Sequence, residues 1–289
     1  MSLTLLTAWQ GAKARLQAAG LSGPVIEARL LVEAAADATR ADIVGDPYRE
    51  LTAEQEATLD DYLARRERRE PVSHILGRKG FWKIMLNVTP DVLTPRPDTE
   101  TVVEYALRDF PEHAAWSILD LGVGSGAIVL SILAERPAAK GLGVDVSEEA
   151  LAVARDNAAN LGLASRLALL RGDWTEGLGE STFDLVVSNP PYIATQVLAT
   201  LEPEVRDHEP RVALEGGADG LMHYRRLAPE ILRVLKPDGR FAVEIGYDQK
   251  EAVEALFREA GALGVATIRD LGDRDRVVVG AKKALENRA

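Results

Sequence analysis

Residues 118–127 read Ile118-Leu119-Asp120-Leu121-Gly122-Val123-Gly124-Ser125-Gly126-Ala127, an apolar strand that runs into a glycine-rich turn and then a helix. Glycine accepts the backbone angles of a tight turn, and without a Cβ its N–H groups can approach a ligand closely. A second strand-like run, Gly141–Val146, carries Asp145, 23 residues beyond Gly122. A carboxylate there can accept both ribose hydroxyl protons of an adenosine-containing cofactor bound at the carboxyl ends of parallel strands. Gly122-x-Gly124-x-x-Ala127 also satisfies the dinucleotide fingerprint. The loop by itself therefore leaves a nicotinamide dinucleotide and other adenosine cofactors open.

Outward from this loop the pattern alternates between strands and helices. Further strand-like runs are Leu167–Arg171, Asp184–Ser188, Phe241–Ile245 and Arg276–Gly280, and helix-like stretches include Glu148–Leu161 and Gly220–Leu235. Such alternation predicts an α/β fold, a mostly parallel sheet with helices on both faces. The short interval between Ala266–Asp270 and Arg276–Gly280 permits a hairpin, which predicts one antiparallel strand at the sheet edge. Asp173-Trp174 follows the run Leu167–Arg171. Asp173 is expected to bond an adenine amino group and Trp174 to cover a ring face, although Trp174 taken alone also suits a core position.

Upstream, residues 1–70 read as helical. Leu3, Leu5, Leu6, Trp9 and Leu16, then Ile26, Leu30 and Leu31, fall near helical spacing, interrupted at Gly20–Pro24. A third segment runs from Leu51 to about Arg69, with Thr52 and Gln55 placed for a capping box and Pro71 as its stop. The run Arg65-Arg66-Glu67-Arg68-Arg69-Glu70 reads as a solvated helix face with pairs such as Asp61–Arg65, in preference to a partner-binding patch. Residues 72–95 look extended, and Phe81, Trp82, Ile84, Leu86 and Val88 suggest a short hairpin. The expected organisation is a helical domain over 1–70, a hairpin linker over 71–95 and a catalytic α/β domain over 96–289.

Composition removes several classes of function. The 289 residues include no cysteine, which rules out disulfides, thiolate metal sites and cysteine nucleophiles. The four histidines show no His-x-x-x-His spacing, so no metal site is expected. No run approaches the length of a membrane span, and Met1–Gln10 lacks an export signal, so a cytoplasmic protein without membrane attachment is expected. Of the net charge of -11, residues 1–80 contribute -1 and residues 81–289 contribute -10. A protein that grips a phosphate backbone needs a basic footprint, so the balance argues against direct nucleic-acid binding.

The second decisive stretch is Phe183-Asp184-Leu185-Val186-Val187-Ser188-Asn189-Pro190-Pro191-Tyr192, an apolar strand that ends in Asn-Pro-Pro-Tyr. Two prolines fix φ and remove two donors while keeping their carbonyls as acceptors. Asn189 adds another acceptor and Tyr192 a π-face. A planar NH2 group, whose lone pair is delocalised, fits this set. The Asn189 side-chain oxygen and the Pro190 carbonyl can each take one N–H, orient the nitrogen towards a sulfonium methyl and stabilise positive charge developing on it. The competing reading, a strand-terminating turn with a capping Asn, is much weakened by the glycine loop upstream.

These motifs together resemble the bacterial release factor glutamine methyltransferases, the PrmC/HemK family, over nearly the whole chain. The resemblance rests on Pro71-Val72-Ser73-His74-Ile75-Leu76-Gly77, Phe81-Trp82, Leu93-Thr94-Pro95-Arg96-Pro97-Asp98-Thr99-Glu100, Asp120 to Gly126, Asn189 to Tyr192, Glu209-Pro210, Gly216-Gly217-Ala218-Asp219-Gly220-Leu221 and Arg274-Asp275-Arg276. Asn-Pro-Pro-Tyr is shared with amino-methylating enzymes acting on DNA adenine. The Arg96 segment and the Gly-Gly-x-Asp-Gly stretch are more specific to the glutamine group. Val123 stands where the family often has Thr, and Asp98 where it usually has Glu.

The resemblance implies a seven-stranded class I methyltransferase sheet, a small N-terminal helical domain that recognises substrate, and a hairpin linker. It implies S-adenosyl-L-methionine as cofactor, S-adenosyl-L-homocysteine as product, and a glutamine in the Gly-Gly-Gln loop of a peptide-chain release factor as acceptor. Carried over by residue, Gly122, Val123, Gly124, Ser125, Gly126 and Asp145 bind the cofactor together with Asp173, Trp174 and Asn189, while Asn189, Pro190, Pro191 and Tyr192 hold the glutamine. Four alternatives remain. An adenine-amino methyltransferase would need a basic target-recognition segment, and a nicotinamide oxidoreductase would leave Asn189–Tyr192 unexplained. A non-catalytic binding module would have no use for the full set of site residues. An enzyme acting on a ribosomal-protein glutamine differs only weakly, through the N-terminal domain.

Overall fold

Three of the N-terminal helices begin at a threonine that closes a capping box, Thr4 with Thr7, Thr39 with Asp42 and Thr52 with Gln55. Each box satisfies two orphan N–H groups at a helix start, which fixes where the helix begins. The helices are α1 (Leu5–Ala18), α2 (Pro24–Ala35), α3 (Arg40–Gly45), α4 (Ala53–Glu67) and α5 (Val72–Leu76). They enclose a core that includes Leu5, Leu16, Leu31, Leu59 and Ile75. This computed structural model describes residues 3–108 and 110–284. It divides into two units. The first runs to Arg78 and takes in Glu202–His208, and the second holds Lys79–Leu201 and the chain from Glu209 on.

The first unit departs from the sequence reading in three ways. α4 stops at Glu67, ahead of Pro71, because Arg69 takes a left-handed φ of 70° and turns the chain back. Residues 72–76 are helical instead of extended, since Pro71 sits at the helix start, where its missing N–H costs nothing. The arginine run is no solvated face. Arg66 is buried and bonds Glu27 and Glu204, Arg69 bonds Glu204, Arg65 bonds Glu70, and Glu67 bonds Arg15. The predicted Asp61–Arg65 pair is present only at 4.0 Å. Buried guanidinium groups require such partners, and two of them come from residues far away in sequence.

A two-stranded hairpin follows, β1 (Arg78–Phe81) with β2 (Ile84–Asn87). The second unit is built on one sheet made of β3 (Ser117–Leu121), β4 (Lys140–Asp145), β5 (Leu167–Arg171), β6 (Phe183–Ser188), β7 (Leu235–Glu244), β8 (Leu263–Arg269) and β9 (Asp275–Ala281), in the order β5-β4-β3-β6-β7-β9-β8. Its helices are α6 (Glu100–Arg108), α7 (Ala127–Glu135), α8 (Glu148–Asn160), α10 (Met222–Val234) and α11 (Lys250–Glu259), while α9 (Pro203–Arg206) belongs to the first unit. Successive strand residues point to opposite faces. Ile118 accordingly enters the core with α6, α7 and α8, and Leu119 the core with α10 and α11. Leu119 is fully buried, and truncating it to Ala would cost about 2–5 kcal/mol.

The antiparallel strand is not at the edge. β9 pairs antiparallel with both β7 and β8, and β8 forms the edge. The residues account for the order. Val277, Val278 and Val279 form an unbroken apolar run that needs cover on both faces, and all three are buried. Most residues of β8 retain partial exposure. Among the described residues no helix is long and apolar enough to cross a membrane.

Candidate functional site

β3 and β6 are in register so that Leu121 lies beside Ser188. Each is the last residue before a motif, the glycine turn in one case and Asn189-Pro190-Pro191-Tyr192 in the other. The buried Ser188 Oγ donates to the Leu121 carbonyl at 2.7 Å and ties the two starts together. β4 flanks β3 on its other side, with Val144 paired to Leu121, and this places Asp145 beside the turn. One parallel-strand edge thus collects residues that are widely separated in the chain.

The turn itself is held by backbone bonds. Gly122 and Val123 both donate to the Val144 carbonyl, at 2.9 and 3.0 Å, and Gly126 donates to Val123 at 2.8 Å. Asp145 Oδ2 accepts from the Gly124 N–H at 2.9 Å and Oδ1 from the Ser147 N–H at 3.0 Å. Each oxygen keeps a further lone pair for a hydroxyl ligand. Asp120, beneath the turn, is buried. Its Oδ2 accepts from Val129 at 3.2 Å, and its Oδ1 has no hydrogen-bond partner. Burial, reinforced by the charge of Asp145, pushes the Asp120 carboxyl up to about 8, against the opposing pull of the Val129 N–H.

A cleft of about 220 Å³ opens over this edge. Gly122, Val123, Gly124, Ser125 and Asp145 line it, as do Asp173, Trp174, Asn189 and Pro191. Gly126, Pro190 and Tyr192 do not line it. Gly126 sits under the turn at the start of α7, Pro190 is buried, and the Tyr192 hydroxyl points inward, 3.3 Å from Glu244 Oε1. Trp174 has a left-handed φ of 55° and meets His223 edge to face at 5.2 Å. Asp173 Oδ2 is paired with Arg226 at 2.6 Å, so the oxygen expected to receive an adenine amino group is shared with an arginine.

The Asn-Pro-Pro-Tyr turn is supported from several directions. Asn189 Nδ2 donates to Thr99 Oγ1 at 3.3 Å. Gln249 Nε2 donates to the Tyr192 carbonyl at 3.1 Å and the Gly220 carbonyl at 3.2 Å. The Gly216–Gly220 stretch packs against the same residue. A Cβ on Gly216 would come within 2.8 Å of the Tyr192 backbone, and one on Gly220, whose φ is 76°, would collide with the Tyr192 carbonyl. The glycines are there because the turn's backbone occupies the space of their missing side chains.

Several residues of the site carried no role in the sequence reading. Thr99 and Glu244 are buried beside the turn, and Arg96 lines the cleft while gripping the buried Glu209 through both carboxylate oxygens at 2.6 and 2.7 Å. Burial pushes Glu209 up despite that arginine. Arg96, Thr99 and Glu209 lie within quoted motif stretches, whereas nothing local marks Glu244. His223 also lines the cleft, and burial holds its pKa down, which favours the neutral ring. Among the described residues no cluster of histidine and carboxylate side chains could hold a metal ion.

The donor set fits an adenosine-containing sulfonium. Asp145 retains lone pairs for a vicinal diol, the glycine turn exposes backbone, and Val92, Ile128, Val146 and Trp174 give the cleft apolar walls.

A family model described as the PrmC N-terminal domain matches residues 7–77, and one described as a methyltransferase domain matches residues 112–276. A release factor glutamine methyltransferase of Caulobacter vibrioides is 69% identical over 289 residues, covering 100% of both chains. One from Agrobacterium fabrum is 42% identical over 271 residues, covering 92% of this chain and 93% of its own. Among solved structures, a methyltransferase from Pyrococcus furiosus superposes with a TM-score of 0.51 at 20% identity, covering 68% of this chain and 88% of its own, a likeness of fold.

Proposed function

The chain belongs to the release factor glutamine methyltransferase family, and from that premise we propose that it methylates the side-chain amide nitrogen of a glutamine in a peptide-chain release factor, within a Gly-Gly-Gln loop, using S-adenosylmethionine. The observation that carries the reading is the shared cleft. Asn189 and Pro191 line the same space as Gly122–Ser125 and Asp145, so an amide held by the proline turn meets a cofactor held by the glycine turn.

The bound sulfonium supplies an electrophilic methyl group. Everything else falls to the chain. Gly122–Ser125 and Asp145 hold the adenosine part, Trp174 gives a flat wall, and Asp173, shared with Arg226, offers its second oxygen to the base. An amide nitrogen is a weak nucleophile because its lone pair is delocalised into the carbonyl. Asn189 Oδ1 and the Pro190 carbonyl accept its two N–H bonds, which fixes the nitrogen in place. Both oxygens carry partial negative charge and stabilise the positive charge that grows on nitrogen during transfer. No strong base or metal is required for this, and the proton that the methylated nitrogen sheds passes to solvent. Pro191 and Tyr192 stiffen the turn, and the N-terminal unit recognises the body of the protein substrate.

Incubation with methyl-labelled S-adenosylmethionine, a release factor, a ribosomal-protein fraction and an oligonucleotide, each in its own reaction, tests the assignment. Label on the glutamine side chain of the release factor, located by peptide mass spectrometry, is the expected result. Label confined to a ribosomal-protein glutamine would move the substrate within the same chemistry, and label on adenine would overturn it.

A further inference from the structure

The Asn-Pro-Pro-Tyr turn can present a carbonyl to a substrate amide only if that carbonyl keeps one direction. Proline fixes φ at positions 190 and 191 but leaves ψ free there, and both backbone rotations free at Tyr192. The turn is therefore rigid only if both of its ends are pinned. At the leading end, Ser188 Oγ donates to the Leu121 carbonyl at 2.7 Å and Asn189 Nδ2 to Thr99 Oγ1 at 3.3 Å. At the trailing end, the peptide between Tyr192 and Ile193 is held from both sides. Its N–H donates to the Leu214 carbonyl at 2.9 Å, and its carbonyl accepts from Gln249 Nε2 at 3.1 Å. Gln249 stands just ahead of α11, and its Nε2 also donates to the Gly220 carbonyl at 3.2 Å, while its Oε1 accepts from the Gly246 N–H at 2.9 Å.

These three partners call for a carboxamide. Its NH2 group has two N–H bonds, one for each carbonyl, and its oxygen takes the remaining N–H. A lysine could donate to both carbonyls but would leave Gly246 without an acceptor. A glutamate could accept from Gly246 but would set a negative charge against two carbonyl oxygens. Which end of the amide is nitrogen follows from both sides, because only the oxygen can accept from Gly246. The two bridged carbonyls belong to different loops. They come together because Gly220 has no side chain: a Cβ there would collide with both the Tyr192 carbonyl and Gln249 Nε2.

We propose that Gln249 is a positioning residue for methyl transfer: by bridging the Tyr192 and Gly220 carbonyls it pins the trailing end of the Asn-Pro-Pro-Tyr turn and so fixes the direction of the Pro190 carbonyl. The proposal rests on the reading that this carbonyl accepts one N–H of the substrate amide. With both ends held and φ fixed at both prolines, rotation of ψ at Pro190 has no compensating rotation elsewhere in the turn. Without Gln249 the Tyr192 carbonyl loses its donor, and the Tyr192–Ile193 peptide is held by its N–H alone. The Pro190 carbonyl then swings, and the amide nitrogen loses its alignment with the methyl group. Gln249 touches neither cofactor nor substrate in this scheme. Its removal is felt in turnover and not in cofactor binding.

The test compares Gln249→Met and Gln249→Glu with the parent and with Asn189→Ala. Turnover and the KM of the release factor are read at saturating S-adenosylmethionine, cofactor affinity by calorimetry, and stability by thermal unfolding. Gln249→Met keeps the length of the side chain and removes all three bonds. Its kcat should fall about 10–10²-fold, less than the loss from removing an acceptor outright. Its cofactor Kd and release factor KM should stay within about threefold of the parent's. Gln249→Glu keeps the bond to Gly246 and should lose at least as much turnover, because its charge opposes both carbonyls. A brace that served stability alone would lower Tm and leave the kcat of the folded enzyme unchanged, and that result in both variants would overturn the proposal. Parent-like turnover in Gln249→Glu beside a loss in Gln249→Met would assign the effect to Gly246 and overturn it equally, as would a cofactor Kd that weakened in step with kcat. Should neither variant fold, the parent carries the test. Its Gln249 side-chain amide protons should exchange slowly with solvent, with and without S-adenosylhomocysteine, and exchange at the rate of an exposed amide would overturn the proposal. If Asn189→Ala itself kept full turnover, the reading of the turn would fail with it. An inactive Asn189→Ala beside parent-like Gln249 variants would remove only the role of Gln249.

Discussion

At the glycine-turn end of the cleft, Asp145 holds Gly124 from 21 residues away. At the Asn-Pro-Pro-Tyr end, Asn189 is held by Thr99 from 90 residues away and Tyr192 by Glu244 and Gln249 from 52 and 57. The first end is a local strand-turn-helix whose bonds run to the adjoining strand. The second is a short stiff turn fixed by side chains from the helical turn Pro97–Thr99, from β7 and from the loop before α11. Binding a common cofactor needs little more than backbone and one carboxylate. Orienting an amide needs a defined hydrogen-bond direction at each atom, which distant partners supply. The two ends should consequently fail in different ways when altered.

The largest difference is expected at Asn189. Removing one preorganised acceptor costs about 10²–10³ in rate, or roughly 3–4 kcal/mol. Asn189→Ala should lower kcat by about that factor in a methyl-transfer assay. Asn189→Asp should fall between it and the parent, because a carboxylate still favours positive charge but cannot donate to Thr99. Next comes Gly220→Ala. Left-handed backbone costs a residue with a side chain about 1–3 kcal/mol, and the new Cβ meets the Tyr192 carbonyl as well. Gly124→Ala suffers the backbone strain alone, since nothing lies within 4 Å of its Cβ position. Thermal unfolding should show the Gly220 variant losing more stability than the Gly124 variant; the reverse order would break the picture of a crowded acceptor end.

Asp145→Ala acts on the other side of the comparison. It should weaken S-adenosylmethionine binding by about 1–3 kcal/mol, the scale of a lost hydrogen bond to a charged group, measured by calorimetry. The last prediction concerns Asp120 and is read in stability instead of turnover or binding. Its carboxyl is raised to about 8 in the fold, above the ordinary value of about 4. The folded state therefore keeps a proton that the unfolded chain has lost. This lowers stability progressively as pH climbs from about 4 to about 8, and the loss levels off above that. Glu244 contributes in the same direction. Asp120→Asn should flatten, without abolishing, the fall of Tm across that range, and an unchanged slope would contradict the assignment.

How much of this could be read from the chain follows the same division. The strand before Gly122, the turn, Asp145 and the Asn-Pro-Pro-Tyr turn are runs of adjacent residues, and their chemistry is visible in sequence. Glu244 ends an apolar strand and looks like any strand-end carboxylate until the sheet order places it under Tyr192. Gln249 likewise shows nothing of its bond to the Tyr192 carbonyl. β9 was expected at the edge because hairpin spacing fixes which strands pair but not which one turns inward. The uninterrupted Val277-Val278-Val279 carried that signal. The arginine run from Arg65 to Arg69 resembled a solvated face because its partners Glu27 and Glu204 lie 39 and 138 residues from Arg66.

The central claim is that the cleft has two separable ends, one that holds the cofactor and one that orients the amide. Titrating S-adenosylmethionine into Asn189→Ala by calorimetry, alongside its kcat, tests it most directly. The account predicts a Kd within about threefold of the parent's, barely 0.7 kcal/mol, together with the large loss of turnover. A Kd that weakened in proportion to kcat would mean that Asn189 serves the cofactor, and the division between the two ends would be wrong.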